Sequence, residues 1–183
     1  MRVLLSEDIW SFDLETALAE ISEQRRMQAL KFKYELGQRL CVLAYQLLKQ
    51  GLREEYGITE NPVFEYHEHG KPSIVGHPDI HFNLSHCKEA AVCVISDRPV
   101  GIDVESIREY RASLAHYTMN EDEIRQIESS ADPAVTFIHF WTMKEATLKL
   151  IGTGISNDIK NAIDDTKRYT TVNRQRYIYT VCE

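Results

Sequence analysis

Residues 101–105 read GIDVE, in which apolar and acidic side chains alternate. A period of two is typical of a β-strand with one buried face. On such a strand Ile102 and Val104 point into the core, while Asp103 and Glu105 share the opposite face. Two carboxylates this close repel each other unless a cation or a basic side chain lies between them. The segment therefore predicts a strand whose acidic pair needs a positive partner.

A second motif, WTMKEATLK, occupies residues 141–149. At helical spacing Glu145 and Lys149 lie on one face, and Lys144 lies beside them. A third carboxylate and two ammonium groups thus project from one helix. Each group alone is typical of a solvated surface, because Glu and Lys four residues apart are a common helix pair.

Taken together, the carboxylates of Asp103, Glu105 and Glu145 predict a Mg²⁺ site, since Mg²⁺ prefers oxygen ligands and often shares them with a phosphate. The lysines would then balance charge on that phosphate, as they do in sites of phosphoryl transfer.

Leucine repeats predict a long helix from about residue 34 to residue 50, with Gly51 as its end. Aromatic and β-branched runs separated by glycine and proline then indicate strands and turns. Residues 90–95 are predicted to form a buried strand. An Asp-Arg-Pro turn would join this strand to residues 100–105 as a hairpin.

Helical signals return in the second half of the chain. A capping box is predicted at residues 118–121, and a helix with an Asp N-cap and a Pro at its first position is predicted at residues 132–151. Closing strands are predicted at residues 169–172 and 177–181. This order of helices, strands, helices and strands predicts the α+β class.

Composition narrows the functional classes. The 183 residues carry a formal net charge of −7, which argues against broad nucleic-acid binding because that needs a basic face. We expect no membrane span, because no long apolar stretch is present. The four cysteines show no paired spacing, which favours a reducing compartment and a cytoplasmic location.

Two further segments could meet an anion. In residues 82–86, FNLSH, a strand is expected to end near Ser85 and His86, whose hydroxyl and imidazole could bind a phosphate by hydrogen bonds. In residues 70–72, GKP, a turn would expose Lys71.

The ordered set of GKP, FNLSH, GIDVE and WTMKEATLK resembles the 4′-phosphopantetheinyl transferases, specifically the larger type that activates non-ribosomal peptide and polyketide synthases. The resemblance covers roughly residues 20 to 155. It implies two pseudo-symmetric α+β halves, residues 1–100 and a shortened 101–183, with coenzyme A in the cleft between them. Each half would be a small antiparallel sheet packed against helices, and a monomer is expected.

The resemblance also implies an activity, a cofactor and a partner. With Mg²⁺, the phosphopantetheine arm of coenzyme A would be transferred to a serine of an acyl or peptidyl carrier protein, releasing 3′,5′-ADP. The roles it implies fall into three groups. The metal ligands would be Asp103, Glu105 and Glu145, of which Asp103 and Glu145 would also be catalytic with Lys149. Glu145 would be the general base. The cofactor would be bound by Lys149, Lys144, Ser85, His86, Arg39, Lys71 and Pro72.

The chain departs from the family pattern at Gly152-Thr153-Gly154, where the family commonly has a lysine between the glycines. This departure and the short C-terminal half leave open a coenzyme A or nucleotide binding module without transfer. Another alternative is a Mg²⁺-dependent phosphohydrolase that uses the same carboxylates with water as the nucleophile.

Overall fold

The computed structural model describes residues 1–67, 70–154 and 159–183. In these ranges the helices are α1 (Leu14–Glu20), α2 (Glu23–Leu30), α3 (Glu35–Tyr56), α4 (Ala112–Thr118), α5 (Glu121–Ser129) and α6 (Pro133–Ile151), followed by a 3₁₀ turn at Ile159–Asn161. The strands are β1 (Arg2–Ser6), β2 (Phe64–Tyr66), β3 (Pro72–Ile74), β4 (His81–His86), β5 (Ala91–Ser96), β6 (Gly101–Ser106), β7 (Tyr169–Asn173) and β8 (Tyr177–Cys182).

Within the described residues, all paired strands are antiparallel. One three-stranded sheet has the order β1-β5-β4, a second has the order β6-β8-β7, and β2 pairs with β3 as a small separate ribbon. Helix α3 packs on the first sheet, and α6 packs on the second. The predicted α+β class with two similar halves is confirmed, as are the two closing strands.

Helix α3 is longer than expected, and Gly51 does not end it. The helix continues to Tyr56 and ends at Gly57, which has a left-handed φ of 69°. Gly51 has a packing role instead. A Cβ there would lie 2.3 Å from Ile95 Cδ1, so the missing side chain lets α3 lie close against β5.

Helix α6 lies even closer to β6. A Cβ on Gly101 would lie 2.0 Å from the Ala146 carbonyl oxygen and 2.6 Å from the Leu150 nitrogen, both of which are backbone atoms of α6. Only glycine fits at this crossing. Because of it, the acidic strand and the Glu-Lys helix lie side by side.

The predicted hairpin between residues 90–95 and 100–105 is wrong. Strand β5 is the centre of its sheet, with β1 on one edge and β4 on the other, so no edge remains for β6. Strand β6 pairs with β8 on one side. On its other side, the Ile102 amide donates to Asn83 Oδ1 at 3.1 Å and the Val104 amide donates to Ser85 Oγ at 3.2 Å. Side chains of β4 thus satisfy the backbone of β6.

The capping box lies two residues later than predicted. Asn120 is the N-cap of α5, and its side chain accepts from the Glu123 amide while the Glu123 carboxylate accepts from the Asn120 amide. The prediction for α6 is confirmed: Asp132 caps its start and the left-handed Gly152 ends it.

A shared apolar core joins the two halves. It contains buried residues from β5, such as Val92 and Val94, and buried residues from β6 and β8, such as Ile102 and Val181. None of the helices described here is long and apolar enough to cross a membrane.

Candidate functional site: an acidic cluster between the two halves

Asp103 is the most tightly held residue of the site. Its side chain is buried, and its Oδ1 accepts from Ser85 Oγ at 2.9 Å and from Lys149 Nζ at 2.6 Å. Its Oδ2 is buried without a hydrogen-bond partner. A buried carboxylate oxygen without a partner is costly, so this atom is ready to accept a cation or a donor.

Glu145 reaches the same region from α6. Its Oε1 is also buried without a hydrogen-bond partner. Burial, and then the nearby Asp103 carboxylate, raise the pKa of Glu145 to about 7, although the Lys149 ammonium opposes the shift. This carboxyl group can therefore gain or lose a proton near neutral pH.

Glu105 completes the acidic group at the end of β6. Burial and the Asp103 charge raise the pKa of the Glu105 carboxyl group. The side chain also lies 3.9 Å from the Arg108 guanidinium, measured from Oε2 to NH2. The three carboxylates thus act on one another electrostatically, and the alternation on the strand predicted this for Asp103 and Glu105.

The donor set suits a hard divalent cation. In the described ranges no three His, Cys, Asp or Glu side chains already converge as a metal centre. The unpartnered oxygens of Asp103 and Glu145 are nevertheless the type of ligand that Mg²⁺ prefers. Since Mg²⁺ keeps several waters and takes others of its ligands from phosphate, a full protein cage is not needed.

Lys144 lies elsewhere than predicted. Its side chain is fully buried, and its ammonium contacts Glu123 Oε2 at 2.9 Å and donates to the carbonyls of Ile159 at 3.1 Å and Lys160 at 2.6 Å. The lysine ties α6 to α5 and to the 3₁₀ turn, and it does not contact a phosphate from this position. The sequence could not distinguish it from Lys149, because both fall within the same motif.

Arg39 also has a different environment from the predicted one. Its guanidinium donates to the Phe12 carbonyl at 2.8 Å and pairs with Glu35 at 2.8 Å. It lies over the ring of Trp10 at 4.8 Å and that of Phe12 at 5.3 Å, measured to the ring centroids. In this structure Arg39 fixes the N-terminal segment to α3 and is not free for a cofactor phosphate.

His86 ends β4, close to Ser85 as expected. Burial and the charges of Arg25 and Lys149 lower the pKa of His86 to about 4, so its ring is neutral at pH 7. Arg25 was not predicted as a site residue from the sequence. It lies on α2, and its guanidinium donates to the Cys41 carbonyl at 2.8 Å. Its position one turn after the Ser22 N-cap, facing α3, was the available signal.

Lys71 joins the two halves at the mouth of the site. Its ammonium donates to the Leu150 carbonyl near the end of α6 at 2.7 Å, and burial lowers its pKa. Lys71 and Pro72 line a cavity of about 230 Å³ together with Glu145 and Lys149. The same two residues also line an adjoining cavity of about 600 Å³. Residues from both halves thus border both cavities, which share Lys71 and Pro72 and together form a recess between the halves.

The fold and the site together define a class of protein. It is an α+β protein in which a recess between two halves adjoins a carboxylate cluster, and a cation held by such a cluster suits a phosphate-bearing ligand. Comparison with known proteins makes the class specific. The model of the 4′-phosphopantetheinyl transferase superfamily matches residues 99–180, which include β6 and α6. This part of the chain is similar to the superfamily, and the resemblance seen in its motifs is confirmed.

Three relatives illustrate the match. The chain is 36% identical over 141 residues to 4′-phosphopantetheinyl transferase psf-1 of Bacillus pumilus. The aligned residues cover 74% of this chain and 60% of the relative. It is 38% identical over 120 residues to 4′-phosphopantetheinyl transferase gsp of Aneurinibacillus migulanus, covering 64% and 50%. It is 28% identical over 145 residues to 4′-phosphopantetheinyl transferase Sfp of Bacillus subtilis strain 168, covering 78% and 65%. The chain thus spans between half and two thirds of the length of these relatives.

Proposed function

We propose that this protein transfers the 4′-phosphopantetheine arm of coenzyme A to a serine hydroxyl of an acyl or peptidyl carrier protein. One observation carries the proposal: Glu145 and Lys149 of one half line the same cavity as Lys71 and Pro72 of the other half. A long ligand with a diphosphate in its middle can lie across such a boundary, with its reacting phosphate at the acidic cluster.

The chemistry is a displacement at phosphorus. The serine oxygen attacks the phosphorus that bears the pantetheine arm, and the bond between that phosphorus and the bridging oxygen breaks. The leaving group is 3′,5′-ADP, and the serine proton passes to Glu145. A carboxylate has two oxygens, so Glu145 can hold a metal ion through one of them and accept this proton on the other.

Charge balance falls to a metal ion and a lysine. Mg²⁺, when bound by Asp103, Glu105 and Glu145, would polarise the diphosphate oxygens as a Lewis acid. Lys149 would add a positive charge beside the same diphosphate. Its side chain is 28% exposed, so the ammonium can contact a ligand in the recess while the backbone of α6 stays in place.

The far end of coenzyme A would lie along the N-terminal half. The neutral His86 ring can donate one hydrogen bond to the 3′-phosphate, and Arg25 adds a positive charge nearby. Lys71 and Pro72 would border the adenosine end. We further propose that the protein acts as a monomer in the cytoplasm. Its four cysteines are free and buried, as is usual for proteins of a reducing compartment.

The test is the intact mass of an apo carrier protein after incubation with this protein, coenzyme A and Mg²⁺. We expect a gain of one phosphopantetheine arm that EDTA or Asp103→Ala abolishes. Coenzyme A binding without any mass gain, across several carriers, would favour a binding module. Release of 3′,5′-ADP without a carrier would favour a phosphohydrolase. Either result would contradict the transfer proposal.

A further inference from the structure

Ser85 is the residue whose surroundings agree least with a role in binding phosphate. Its hydroxyl donates to Asp103 Oδ1 at 2.9 Å. It accepts from the Val104 amide at 3.2 Å and from Lys149 Nζ at 2.9 Å. A serine hydroxyl has one donor and two acceptor positions, so all of its hydrogen-bonding capacity is in use. It can donate to a phosphate only by releasing Asp103.

The location of Ser85 explains why these bonds form. On β4 the side chains of Asn83 and Ser85 point to the same face, because they are two residues apart. Both are buried, and each accepts one amide of β6. They replace the backbone ladder that is missing at this edge of β6, and they hold the acidic strand in register with the first half.

The same contact fixes the direction of the Asp103 carboxylate. Since Oδ1 is held by Ser85 and Lys149, Oδ2 is the oxygen left without a partner. Groups that hydrogen-bond a metal ligand from behind typically alter metal affinity by about 10-fold to 100-fold when they are removed. Ser85 is such a group, because it bonds Oδ1 of Asp103 and leaves Oδ2 for the cation.

We infer that Ser85 is a positioning residue, which orients Asp103 toward the divalent cation and holds Lys149 beside it, and that it is not a ligand of the 3′-phosphate of coenzyme A. The inference rests on the proposed function, since it assigns a role within the same site. It separates Ser85 from its neighbour His86, which has no hydrogen bond to the acidic cluster and remains available to the 3′-phosphate.

The experiment compares Ser85→Ala with His86→Ala in two binding measurements. The first is Mn²⁺ affinity, read from the electron paramagnetic resonance of free Mn²⁺ with and without coenzyme A. The second is the ratio of affinities for coenzyme A and for dephospho-coenzyme A, which lacks only the 3′-phosphate. We expect Ser85→Ala to weaken Mn²⁺ binding about 10-fold, while the ratio stays within about twofold of the wild-type value. We expect His86→Ala to lower the ratio and leave Mn²⁺ binding unchanged.

The inference would be overturned if Ser85→Ala lowered the ratio of coenzyme A to dephospho-coenzyme A affinity and kept normal Mn²⁺ affinity. It would also be overturned if Ser85→Ala changed neither measurement. Ser85→Thr keeps the hydroxyl and should retain Mn²⁺ affinity within about threefold. If Ser85→Ala does not fold, Ser85→Cys replaces it with the same expected results, because a thiol is a poor donor. A wild-type protein that binds Mn²⁺ but neither nucleotide would contradict the proposed function instead, and the Mn²⁺ comparison would still decide the role of Ser85.

Discussion

Two lysines on α6, five residues apart, have opposite surroundings. Lys144 is fully buried, and its ammonium is held by a carboxylate and two backbone carbonyls. Lys149 is partly exposed, and beside its ammonium lie two buried carboxylate oxygens that have no hydrogen-bond partner. One helix therefore has a saturated polar cluster on one side and an unsatisfied one on the other.

The difference separates stability from function. Around Lys144 the charges have partners within the protein, so this region needs no ligand and should respond to mutation by unfolding. Around Lys149 three carboxylates outnumber two cations, Lys149 and Arg108, and burial already raises the pKa values of Glu105 and Glu145. Such an excess of negative charge reduces stability, and a bound cation would relieve it.

The largest effect on stability is expected from Lys144→Met. It leaves the Glu123 carboxylate buried without its cation, which costs about 3 kcal/mol of the free energy of unfolding. The measurement is the midpoint of urea denaturation. A loss below about 1 kcal/mol would show that the polar cluster around Lys144 does not stabilise the fold.

The matched control for this variant is the double mutant Lys144→Met with Glu123→Gln. Glutamine removes the unpaired charge but can still accept the Asn120 amide in the capping box. We expect the double mutant to recover roughly half of the lost stability.

The next effect is expected from Gly101→Ala, which should move α6 away from β6. The new Cβ would meet backbone atoms of α6, which no rotamer change relieves. We expect a loss of about 2 kcal/mol in stability, and transfer activity at least about 10-fold lower while the protein is still folded, because Glu145 and Lys149 move with the helix.

Gly51→Ala is the comparison for Gly101→Ala, since it changes the equivalent crossing of α3 and β5. Its Cβ would meet the ends of the Ile95 and Leu4 side chains, which can rotate. Its transfer activity per folded molecule should stay near that of the wild type. Equal losses of activity in the two variants would mean that the crossing at Gly101 does not position the site.

A smaller effect of opposite sign is expected from Glu145→Gln measured in EDTA. The pKa of this carboxyl group is about 7 in the folded protein and 4.5 in its ordinary state. Ionisation is therefore harder in the folded protein, so wild-type stability falls as the pH rises from 4.5 to 7. Glutamine does not ionise, and at pH 8 the variant should be more stable by about 1.5 kcal/mol, roughly half of the full shift because the side chain is partly exposed.

Thermal unfolding at about pH 8 and about pH 4.5 checks this expectation, because the advantage of glutamine should disappear at the lower pH. Glu128→Gln, on an exposed face of α5, should change stability by less than about 0.5 kcal/mol at both pH values. A Glu145→Gln variant that is no more stable than the wild type at pH 8 would contradict the raised pKa.

Local patterns predicted the elements of the fold well. The alternation in GIDVE, the Asp-Pro start of α6 and the glycine at its end each have a local physical cause, and all three predictions agree with the structure. Strand pairing was less predictable. The proximity of β5 and β6 along the chain suggested a hairpin, but the pairing depends on β1 and β4, which lie far away in the sequence.

The site shows the same limit. Charge type and spacing brought Asp103, Glu145 and Lys149 together correctly, since they lie on one strand and one helix. They could not tell that Lys144 points to Glu123, that Arg39 stacks on Trp10, or that Ser85 is saturated by β6. These contacts depend on how distant elements pack, which no local pattern contains.

The most direct measurement is Lys149→Met assayed for both urea stability and phosphopantetheine transfer. Both lysine variants leave a buried carboxylate without its cation, Asp103 in one and Glu123 in the other, so both should lose stability, and transfer is compared per folded molecule. If the Lys149 side of α6 serves function, Lys149→Met should lose transfer by about 100-fold or more, while folded Lys144→Met should keep it within about threefold of the wild type. Transfer by folded Lys149→Met within about threefold of the wild type would contradict the division of α6 into a structural and a functional side.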